Sequence, residues 1–186
     1  MIEQEAININ NFAANQNEVE RIYLSAFTQG EHAQFISKKE VSDTLIKLFE
    51  TGFGFIAKSE NQIAGMLFAY PLEKNLEFPS AECIGFDWKK SLYIAEVLVD
   101  KPFRGRGIAK KLLEKIEETA VKKSYNTLTL RVWDENISAV SLYKKFGFEE
   151  TGITIYQTKY KNEQTSFEMK KLYLYKKLDC HERIYC

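Results

Sequence analysis

A short glycine-rich turn between an apolar strand and an amphipathic helix constrains this chain more than any other feature. The strand is predicted over Leu92–Val99, where Glu96 alone interrupts an apolar run, and the turn follows at Arg104–Ala109. From Ile108 to about Lys123, apolar residues recur at helical spacing while lysines and glutamates cover the opposite face. The alternating segment Thr127–Trp133 predicts a second strand. A right-handed β-α-β unit with parallel strands is therefore expected.

The composition of this turn suits the binding of an anion. A helix N-terminus presents unpaired backbone N–H groups and the positive end of the helix dipole, and Gly105 and Gly107 would let a ligand approach them. Residues 101–111 include no acidic residue and five basic ones: Lys101, Arg104, Arg106, Lys110 and Lys111. Since the whole chain has 26 basic and 26 acidic residues, this positive charge is local. A phosphorylated ligand is the simplest partner, although a tight turn without a ligand would need the same glycines.

Two other kinds of glycine-rich site are excluded by their spacing. A Walker-type phosphate loop requires G-x-x-x-x-G-K-[ST], which the chain lacks. A dinucleotide-binding fingerprint requires a third glycine, which is missing from this turn. Five basic residues around one turn are also too few for the footprint of a nucleic-acid duplex, so no nucleic-acid partner is expected.

The other elements are predicted from hydrophobic periodicity and from cap and turn residues. They are a strand over Ala6–Phe12, a helix that starts near Asn15–Asn17, a helix from about Lys39 to Gly52, a hairpin of Phe53–Lys58 and Gln62–Tyr70, a short helix ended by Gly147, and strands Glu149–Lys159 and Phe167–Leu178. Residues 72 to about 90 have no clear period and contain Pro79 and Gly85, which favours a lid or a loop that lines a pocket. We expect residues 1–178 to form one domain and residues 179–186 a tail.

Length and composition are typical of a single-domain cytoplasmic protein. The 186 residues are enough to bury one continuous core. The three cysteines, Cys83, Cys180 and Cys186, are odd in number and have neither metal-ligand nor redox spacing, which predicts reduced thiols and no metal site. The N-terminus does not resemble a secretory signal, and no apolar run approaches the roughly 20 residues of a membrane span. A membrane partner is therefore not expected.

Two motifs in register give the chain a family resemblance. Arg104, Gly107 and Ala109 match Arg/Gln-x-x-Gly-x-Gly/Ala, and a second motif, Asn-x-x-Ala-x-x-Leu-Tyr-x-x-x-Gly-Phe, is matched by Asn136, Ala139, Leu142, Tyr143, Gly147 and Phe148. Both motifs belong to the GCN5-related N-acetyltransferase (GNAT) family, which the chain resembles from about residue 5 to residue 178. The resemblance implies an α/β (α+β) fold with one mixed, mostly antiparallel sheet of about six or seven strands. About four helices would flank this sheet, which would be splayed between its fourth and fifth strands.

The resemblance also implies where acetyl-coenzyme A binds. In the family the pantetheine arm lies between the splayed strands and bonds to the backbone of the fourth strand, here Val97, Leu98 and Val99, although Val97 and Val99 also suit core packing. The pyrophosphate would be held by the turn that consists of Arg104, Gly105, Arg106, Gly107, Ile108 and Ala109. Asn136 would contact the coenzyme or serve only as a helix cap, and Tyr143 would lie near the coenzyme sulfur.

Two side chains are expected to carry out the chemistry. Tyr143 is the expected general acid, because a phenol with a pKa near 10 could protonate the departing thiolate; the alternative is a core residue on an amphipathic helix. Glu96 stands alone in an apolar strand, where burial would raise its pKa toward that of a useful base. Several family members use a glutamate at this place to deprotonate the substrate ammonium, but an edge position or an ion pair would also account for it.

The acceptor is expected to be an amine that attacks the thioester directly. The parts that vary within the family correspond here to residues 19–50, 71–91 and 156–170. In the long loop, four acidic side chains could receive a cationic amine: Glu73, Glu77, Glu82 and Asp87. Three aromatic side chains could wall the pocket: Phe78, Phe86 and Trp88. The alternative is a solvated loop with surface charges. Cys83 has no histidine near it in sequence and is not expected to be a nucleophile.

The sequence therefore predicts an N-acetyltransferase that acts on a small-molecule amine. The N-terminus or a lysine of a protein is an alternative acceptor, and a module that binds acyl-coenzyme A without turnover is an alternative of another class. The presence of both Tyr143 and Glu96 favours catalysis. The two long C-terminal strands and the tail could pair across a two-fold axis, which leaves a homodimer open.

Overall fold

A computed structural model describes residues 2–29, 33–79 and 85–178, and within these ranges four α-helices pack on one seven-stranded sheet. The strands are β1 (Ile2–Ile7), β2 (Phe53–Ser59), β3 (Gln62–Pro71), β4 (Ser91–Val99), β5 (Thr127–Trp133), β6 (Glu149–Tyr160) and β7 (Ser166–Lys177). The helices are α1 (Ile9–Phe27), α2 (Lys38–Thr51), α3 (Ile108–Lys122) and α4 (Ile137–Lys145). The strand order is β1-β2-β3-β4-β5-β7-β6, and all neighbours are antiparallel except β4 and β5. The expected mixed, mostly antiparallel sheet is confirmed.

Helices cover both faces of the sheet, because its central strands carry apolar side chains on both sides. On one face, Leu112 of α3 and Ile94 of β4 belong to the same core cluster, which also includes residues of α4. On the other face, Val19 of α1 shares a second cluster with Leu98 of β4. Successive side chains of β4 alternate between the faces, so Val97 packs toward α3 while Leu98 packs toward α1.

The N-terminal elements differ from those that the sequence pattern predicts. The expected strand over Ala6–Phe12 is wrong, because β1 ends at Ile7 and α1 begins two residues later. Asn8 causes the early start: it caps α1, and its backbone N–H donates to the Asn11 side chain (2.8 Å) in a capping box built from asparagines. Asn15–Asn17, expected near the helix start, lie inside the helix instead.

Most other elements have the predicted positions. α2 begins after its N-cap Ser37 and ends at Gly52. β2 and β3 form the predicted hairpin, with Glu60 and Asn61 at positive φ in its turn. β5 has the predicted bounds, and the two predicted C-terminal strands are β6 and β7, which pair with each other. The predicted tail, residues 179–186, lies outside the described residues.

β4 and β5 separate after a short paired stretch, as the family resemblance implied. They pair only over residues 91–94 of β4 and 127–130 of β5, whereas β3 pairs with β4 over residues 92–99. The register against β3 shifts between Ile94 and Glu96, so that Ala95 is an extra residue in a β-bulge. A bulge bends and twists its strand locally, which turns β4 away from β5. Beyond the bulge, the β5-facing edge of β4 has no strand partner among the described residues.

The loop between β3 and β4 is described for residues 72–79 and 85–90, and these parts pack against the sheet. Phe78 is buried against Tyr173 of β7, with ring centroids 5.4 Å apart, and Phe86 and Trp88 lie 6.4 and 6.5 Å from the Phe78 ring. These aromatic side chains belong to a third core cluster. Their packing holds residues 72–79 and 85–90 against the sheet.

Candidate active site

A cavity of about 500 Å³ opens where β4 and β5 separate. Strands β4 to β7, helices α1 and α4, and the segment that follows α1 all contribute to its walls. The lining includes five side chains that the sequence singled out for function: Glu96, Val97, Leu98, Asn136 and Tyr143. Clefts in which strands of a sheet diverge are common ligand sites, because backbone groups and side chains of several elements converge there.

A second groove, of about 630 Å³, lies over α1 and the β2–β3 turn and offers less chemistry. Its two cationic side chains are already paired. Arg21 contacts Glu18 and Asp100 at 2.8 and 2.6 Å, and Lys58 contacts Glu5 at 2.8 Å. The cavity between β4 and β5 is therefore the candidate site.

The turn Arg104–Ala109 follows the end of β4 and lies outside the cavity lining. Gly105 and Gly107 both have a φ of +76°, a left-handed backbone conformation that favours glycine. Gly107 is the N-cap residue of α3 and supplies no side-chain cap, and the first turn of α3 has no acidic residue. A Cβ atom on either glycine would meet no heavy atom within 4 Å, so the space beside the turn is open. The backbone N–H groups at the start of α3 are therefore accessible to an anion.

The arginines of this turn are exposed, and each has one local contact. The Arg104 Nε donates to the backbone oxygen of Val99 (3.1 Å), which ties the turn to the end of β4. The Arg106 guanidinium lies 5.3 Å from the centroid of the Phe103 ring. Ile108, the first residue of α3, is buried in the core and anchors the start of the helix against the sheet. Val99 itself packs toward α3 and does not line the cavity.

Glu96 lies on the α1 side of the opening, held by a tyrosine that the sequence pattern did not single out. The Tyr23 hydroxyl of α1 donates to Glu96 Oε1 (3.0 Å). Burial raises the pKa of the Glu96 carboxyl above its ordinary value, although the hydrogen bond from Tyr23 and the charges of Lys171 and Lys159 act in the opposite direction. Tyr23 itself is buried on the apolar stripe of α1, where its sequence position indicates only a core residue.

Tyr143 enters the cavity from α4, on the opposite face of the sheet. Its ring packs edge-on against Phe148, with centroids 5.8 Å apart, and belongs to the same core cluster as α3. Burial, followed by the negative charge of Glu96, raises the pKa of the Tyr143 hydroxyl above its ordinary value. The side chain therefore packs in the core, lines the cavity and keeps its proton at neutral pH.

Asn136 has two roles in the structure. Its side-chain oxygen caps α4 by accepting hydrogen bonds from the Ala139 backbone N–H (3.2 Å) and the Ser138 hydroxyl (3.0 Å). The same residue lines the cavity. The cap interaction engages the amide oxygen, which leaves the NH2 group as the part of the side chain that a ligand would meet.

Three cationic side chains line the cavity without having been predicted: Arg131 of β5, Lys159 of β6 and Lys171 of β7. Arg131 donates to the Tyr93 hydroxyl through Nε (2.9 Å) and forms an ion pair with Glu77. Burial, followed by the charge of Lys159, lowers the pKa of Lys171 to about 8. These residues lie on three strands that are distant in sequence, so no local motif connects them.

The described acidic side chains of the β3–β4 loop do not line the cavity, contrary to their expected role as receptors for a cationic amine. Glu77 is engaged by Arg131, Asp87 caps the short 3-10 turn that follows it, and Glu73 is exposed. Phe78, Phe86 and Trp88, which could have walled the pocket, do not line this cavity either, because their rings pack in the third core cluster. Glu82 and Cys83 lie outside the described residues.

Neither a metal site nor a membrane-spanning helix occurs among the described residues. No group of three or more His, Cys, Asp or Glu side chains in them could hold a metal ion. None of the helices described is both long and apolar enough to cross a bilayer.

Comparisons with known sequences are consistent with the two motifs. Residues 12–148 match the model of the Acetyltransferase (GNAT) family. An uncharacterized N-acetyltransferase, YycN from Bacillus subtilis, is 30% identical over 128 residues, which cover 67% of this chain and 74% of that protein. Thialysine N-epsilon-acetyltransferase from Bos taurus is 36% identical over 64 residues, 34% of this chain and 38% of that protein. The chain thus matches only a minor part of this mammalian relative.

A solved structure shares the fold across nearly the whole chain. The Salmonella typhimurium protein yncA, determined with its cofactor acetyl-CoA, has a TM-score of 0.68 and covers 96% of this chain and 95% of its own. The identity is 14%, so this likeness concerns the fold alone.

Proposed function

The chain belongs to the GNAT acetyltransferase family, and on this premise we propose that it transfers an acetyl group from acetyl-coenzyme A to the primary amine of a small molecule by direct attack. One observation carries the proposal. The opening between β4 and β5 has a carboxylate on one side, Glu96, and a phenol on the other, Tyr143, in a single cavity. A proton acceptor and a proton donor on opposite sides are what transfer from a thioester to an ammonium group requires.

The residues around the opening fit coenzyme A. Beyond the bulge, the backbone of β4 is unpaired on its β5 side, and an extended arm with amide groups can pair with such an edge. The uncapped start of α3 and the exposed Arg104 and Arg106 suit a pyrophosphate. When bound, acetyl-coenzyme A supplies an activated acetyl thioester. In this proposal the residues that contact it are Val97, Leu98, Val99, Arg104, Gly105, Arg106, Gly107, Ile108, Ala109, Asn136 and Tyr143.

Glu96 is proposed as the general base. An alkylammonium group is unreactive until it loses a proton, and it holds that proton with a pKa near 10. A carboxylate with a raised pKa accepts a proton more readily than an ordinary one, which favours Glu96 in this role. The hydrogen bond from Tyr23 to Oε1 fixes the orientation of the carboxylate, so that the other oxygen can receive the proton directly or through a water molecule.

Tyr143 is proposed as the general acid toward the departing thiolate. Its raised pKa keeps the hydroxyl protonated, as a donor must be before the reaction. The packed ring limits the positions that the hydroxyl can adopt, because Phe148 lies edge-on against it. The thiolate would therefore meet a donor that is already in place.

A small-molecule acceptor fits the enclosure of the cavity on its α1 side. Part of the segment after α1 lies beside β6, because the Phe35 N–H donates to the Tyr160 backbone oxygen (2.6 Å). Gln34 and Ile36 of this segment line the cavity. A volume of about 500 Å³ lies in the range of sites for small molecules.

The proposal is tested by following free thiol from acetyl-coenzyme A together with the mass of the acceptor, over a panel of amino acids, polyamines, aminoglycosides and peptides. The expected result is thiol release that depends on one acceptor class and equals the amount of acetylated product. Tight coenzyme binding with no turnover on any acceptor would contradict the proposal and favour a binding module. Acetylation of peptides alone would contradict a small-molecule acceptor and indicate a protein N-terminus or lysine instead.

A further inference from the structure

The acceptor side of the cavity carries more positive than negative charge. Arg131, Lys159 and Lys171 line this side, while Glu96 is the carboxylate among the lining residues. Cross-strand register places these cations on one face of the sheet. Lys171 lies opposite Trp133, two residues along β5 from Arg131, and Lys159 lies opposite Phe167, four residues along β7 from Lys171. An ammonium group alone would not need this surplus of positive charge.

Arg131 already has its partners, but the two lysines do not. The Arg131 guanidinium pairs with Glu77 and donates to the Tyr93 hydroxyl. No ion pair or hydrogen bond is found for the ammonium group of Lys159 or Lys171 within the described part of the chain. Both side chains are partly buried, and burial, followed by the charge of Lys159, lowers the pKa of Lys171 to about 8.

Two other lysines of β7 are paired with carboxylates. Lys170, on the opposite face of the strand, lies 3.7 Å from Asp134, and Lys176 lies 2.7 Å from Glu117. Lys159 and Lys171 thus form a pair of cations that converge on a cavity without a protein anion in contact. A bound anion would supply the missing partner and relieve their mutual repulsion.

We infer that the acceptor is an amine that also carries an oxyanion, a carboxylate or a phosphate, and that Lys159 and Lys171 bind the oxyanion while Glu96 receives the amine. This inference rests on the proposed function and adds the class of acceptor. Once its ammonium group is deprotonated, such an acceptor is anionic and compensates the excess positive charge of this side of the cavity. A lysine side chain of a protein has no oxyanion near its amine and would leave the two lysines unpaired.

The inference is tested with matched acceptors that differ only in the anion. Each proteinogenic amino acid is compared with its α-amide, and phosphoethanolamine with ethanolamine, by kcat/KM at saturating acetyl-coenzyme A. The first series reports on a carboxylate and the second on a phosphate. We expect the anionic member of one series to be preferred by about 10- to 100-fold, the usual range for hydrogen bonds to a charged group.

The double variant Lys159→Met/Lys171→Met assigns the preference to these residues, because methionine keeps most of the length of the side chain without its charge. The ratio of kcat/KM between the acid and its amide should fall toward one, while Lys177→Met, an exposed lysine of the same strand, keeps the wild-type ratio. Using a ratio removes any effect of the lysines on the proton affinity of Glu96. A wild-type ratio near one, or a ratio that the double variant leaves unchanged, would overturn the inference.

A binding measurement separates this inference from the proposed function. Protein saturated with coenzyme A is titrated calorimetrically with the same acid and amide pairs, which needs no turnover. Tighter binding of the anionic member, lost in the double variant, would support the anion site even if no acetyl transfer occurred. Transfer to neutral amines without any preference in kinetics or binding would overturn the anion site alone.

Discussion

Glu96 and Tyr143 must be in opposite protonation states for the proposed reaction, and one electrostatic environment favours both. Burial raises both pKa values, which makes Glu96 a stronger base and keeps Tyr143 protonated. The negative charge of Glu96 also contributes to raising the pKa of Tyr143. The two groups are therefore coupled, and the loss of one charge changes the proton affinity of the other.

Glu96→Gln should lower kcat by about 10²- to 10⁴-fold and remove the acidic limb of the pH profile. The glutamate acts as a base only when it is ionised, so kcat/KM of the wild type should fall as the pH drops through its raised pKa. The glutamine variant has no such group, and its residual rate should not show this limb. The exposed Glu163→Gln serves as control and should behave as the wild type. An unchanged acidic limb in the Glu96 variant would assign the base elsewhere.

The same substitution should stabilise the ligand-free fold at neutral pH. Because the folded pKa of Glu96 is raised, its ionised form opposes folding above that pKa, and this cost disappears below the unfolded value near 4.5. The charged or titratable groups that interact with it are Tyr23, Tyr70, Arg131, Tyr143, Lys159 and Lys171. Urea unfolding from pH 8 down to pH 5 should give the glutamine variant an advantage in free energy of unfolding that shrinks as the pH falls. An advantage that grows on acidification would show that the sign of the shift is wrong.

Tyr143→Phe should reduce kcat by about 10²- to 10⁴-fold and leave the Kd for coenzyme A within a few-fold of the wild type. Only the hydroxyl is removed, so the edge-on packing against Phe148 is kept. Tyr156→Phe, at an exposed tyrosine of β6, is the matched control. Equal rates for the two variants in the thiol assay would remove Tyr143 from the acid role.

At the level of elements, the site depends on how β4 ends and how α3 begins. The bulge at Ala95 opens the sheet, and the left-handed Gly105 and Gly107 start α3 without a side-chain cap. The bond from Arg104 to the Val99 backbone oxygen connects the two features. One continuous stretch of chain thus forms both the open strand edge and the anion-binding turn.

Arg104→Glu/Arg106→Glu should weaken coenzyme A binding by more than tenfold and leave the affinity for pantetheine, which lacks phosphates, nearly unchanged. Charge reversal places carboxylates beside the start of α3, where an anion is proposed to bind. Calorimetric titrations with both compounds provide the comparison, and Lys122→Glu, at the other end of α3, is the control. Equal loss of affinity for both compounds would contradict a role of the arginines in phosphate binding and would indicate damage to the pantetheine cleft or to the fold.

On the scale of the whole molecule, the sequence was most informative where local patterns coincide with structure. The turn Arg104–Ala109, the end of α2 at Gly52 and the alternation of β5 have local causes, so their positions could be predicted. The asparagine capping box at Asn8 was not predicted, because the alternation of polar and apolar residues around it also fits a strand. Lys159 and Lys171 could not be found, since only the pairing of β6 with β7 brings them to one cavity.

Coenzyme A should stabilise the native state as a whole, since an unfolded chain has neither the open edge of β4 nor the start of α3. At about 100 to 1,000 times its Kd, the free energy of unfolding should increase by roughly 2.7 to 4.1 kcal/mol. The increase is measured by urea unfolding with and without the ligand, and pantetheine at equal concentration shows how much of it depends on the phosphates. No change at millimolar coenzyme A would contradict a coenzyme site in the native protein.

The central claim is that the opening between β4 and β5 receives the acetyl donor. A crystal structure of the protein with coenzyme A tests it most directly. We predict that the pantetheine arm pairs with the backbone of β4 beyond Ala95, the pyrophosphate contacts the first N–H groups of α3, and the sulfur lies beside Tyr143. Coenzyme A bound elsewhere on the protein, with the β4 edge still open, would contradict the claim.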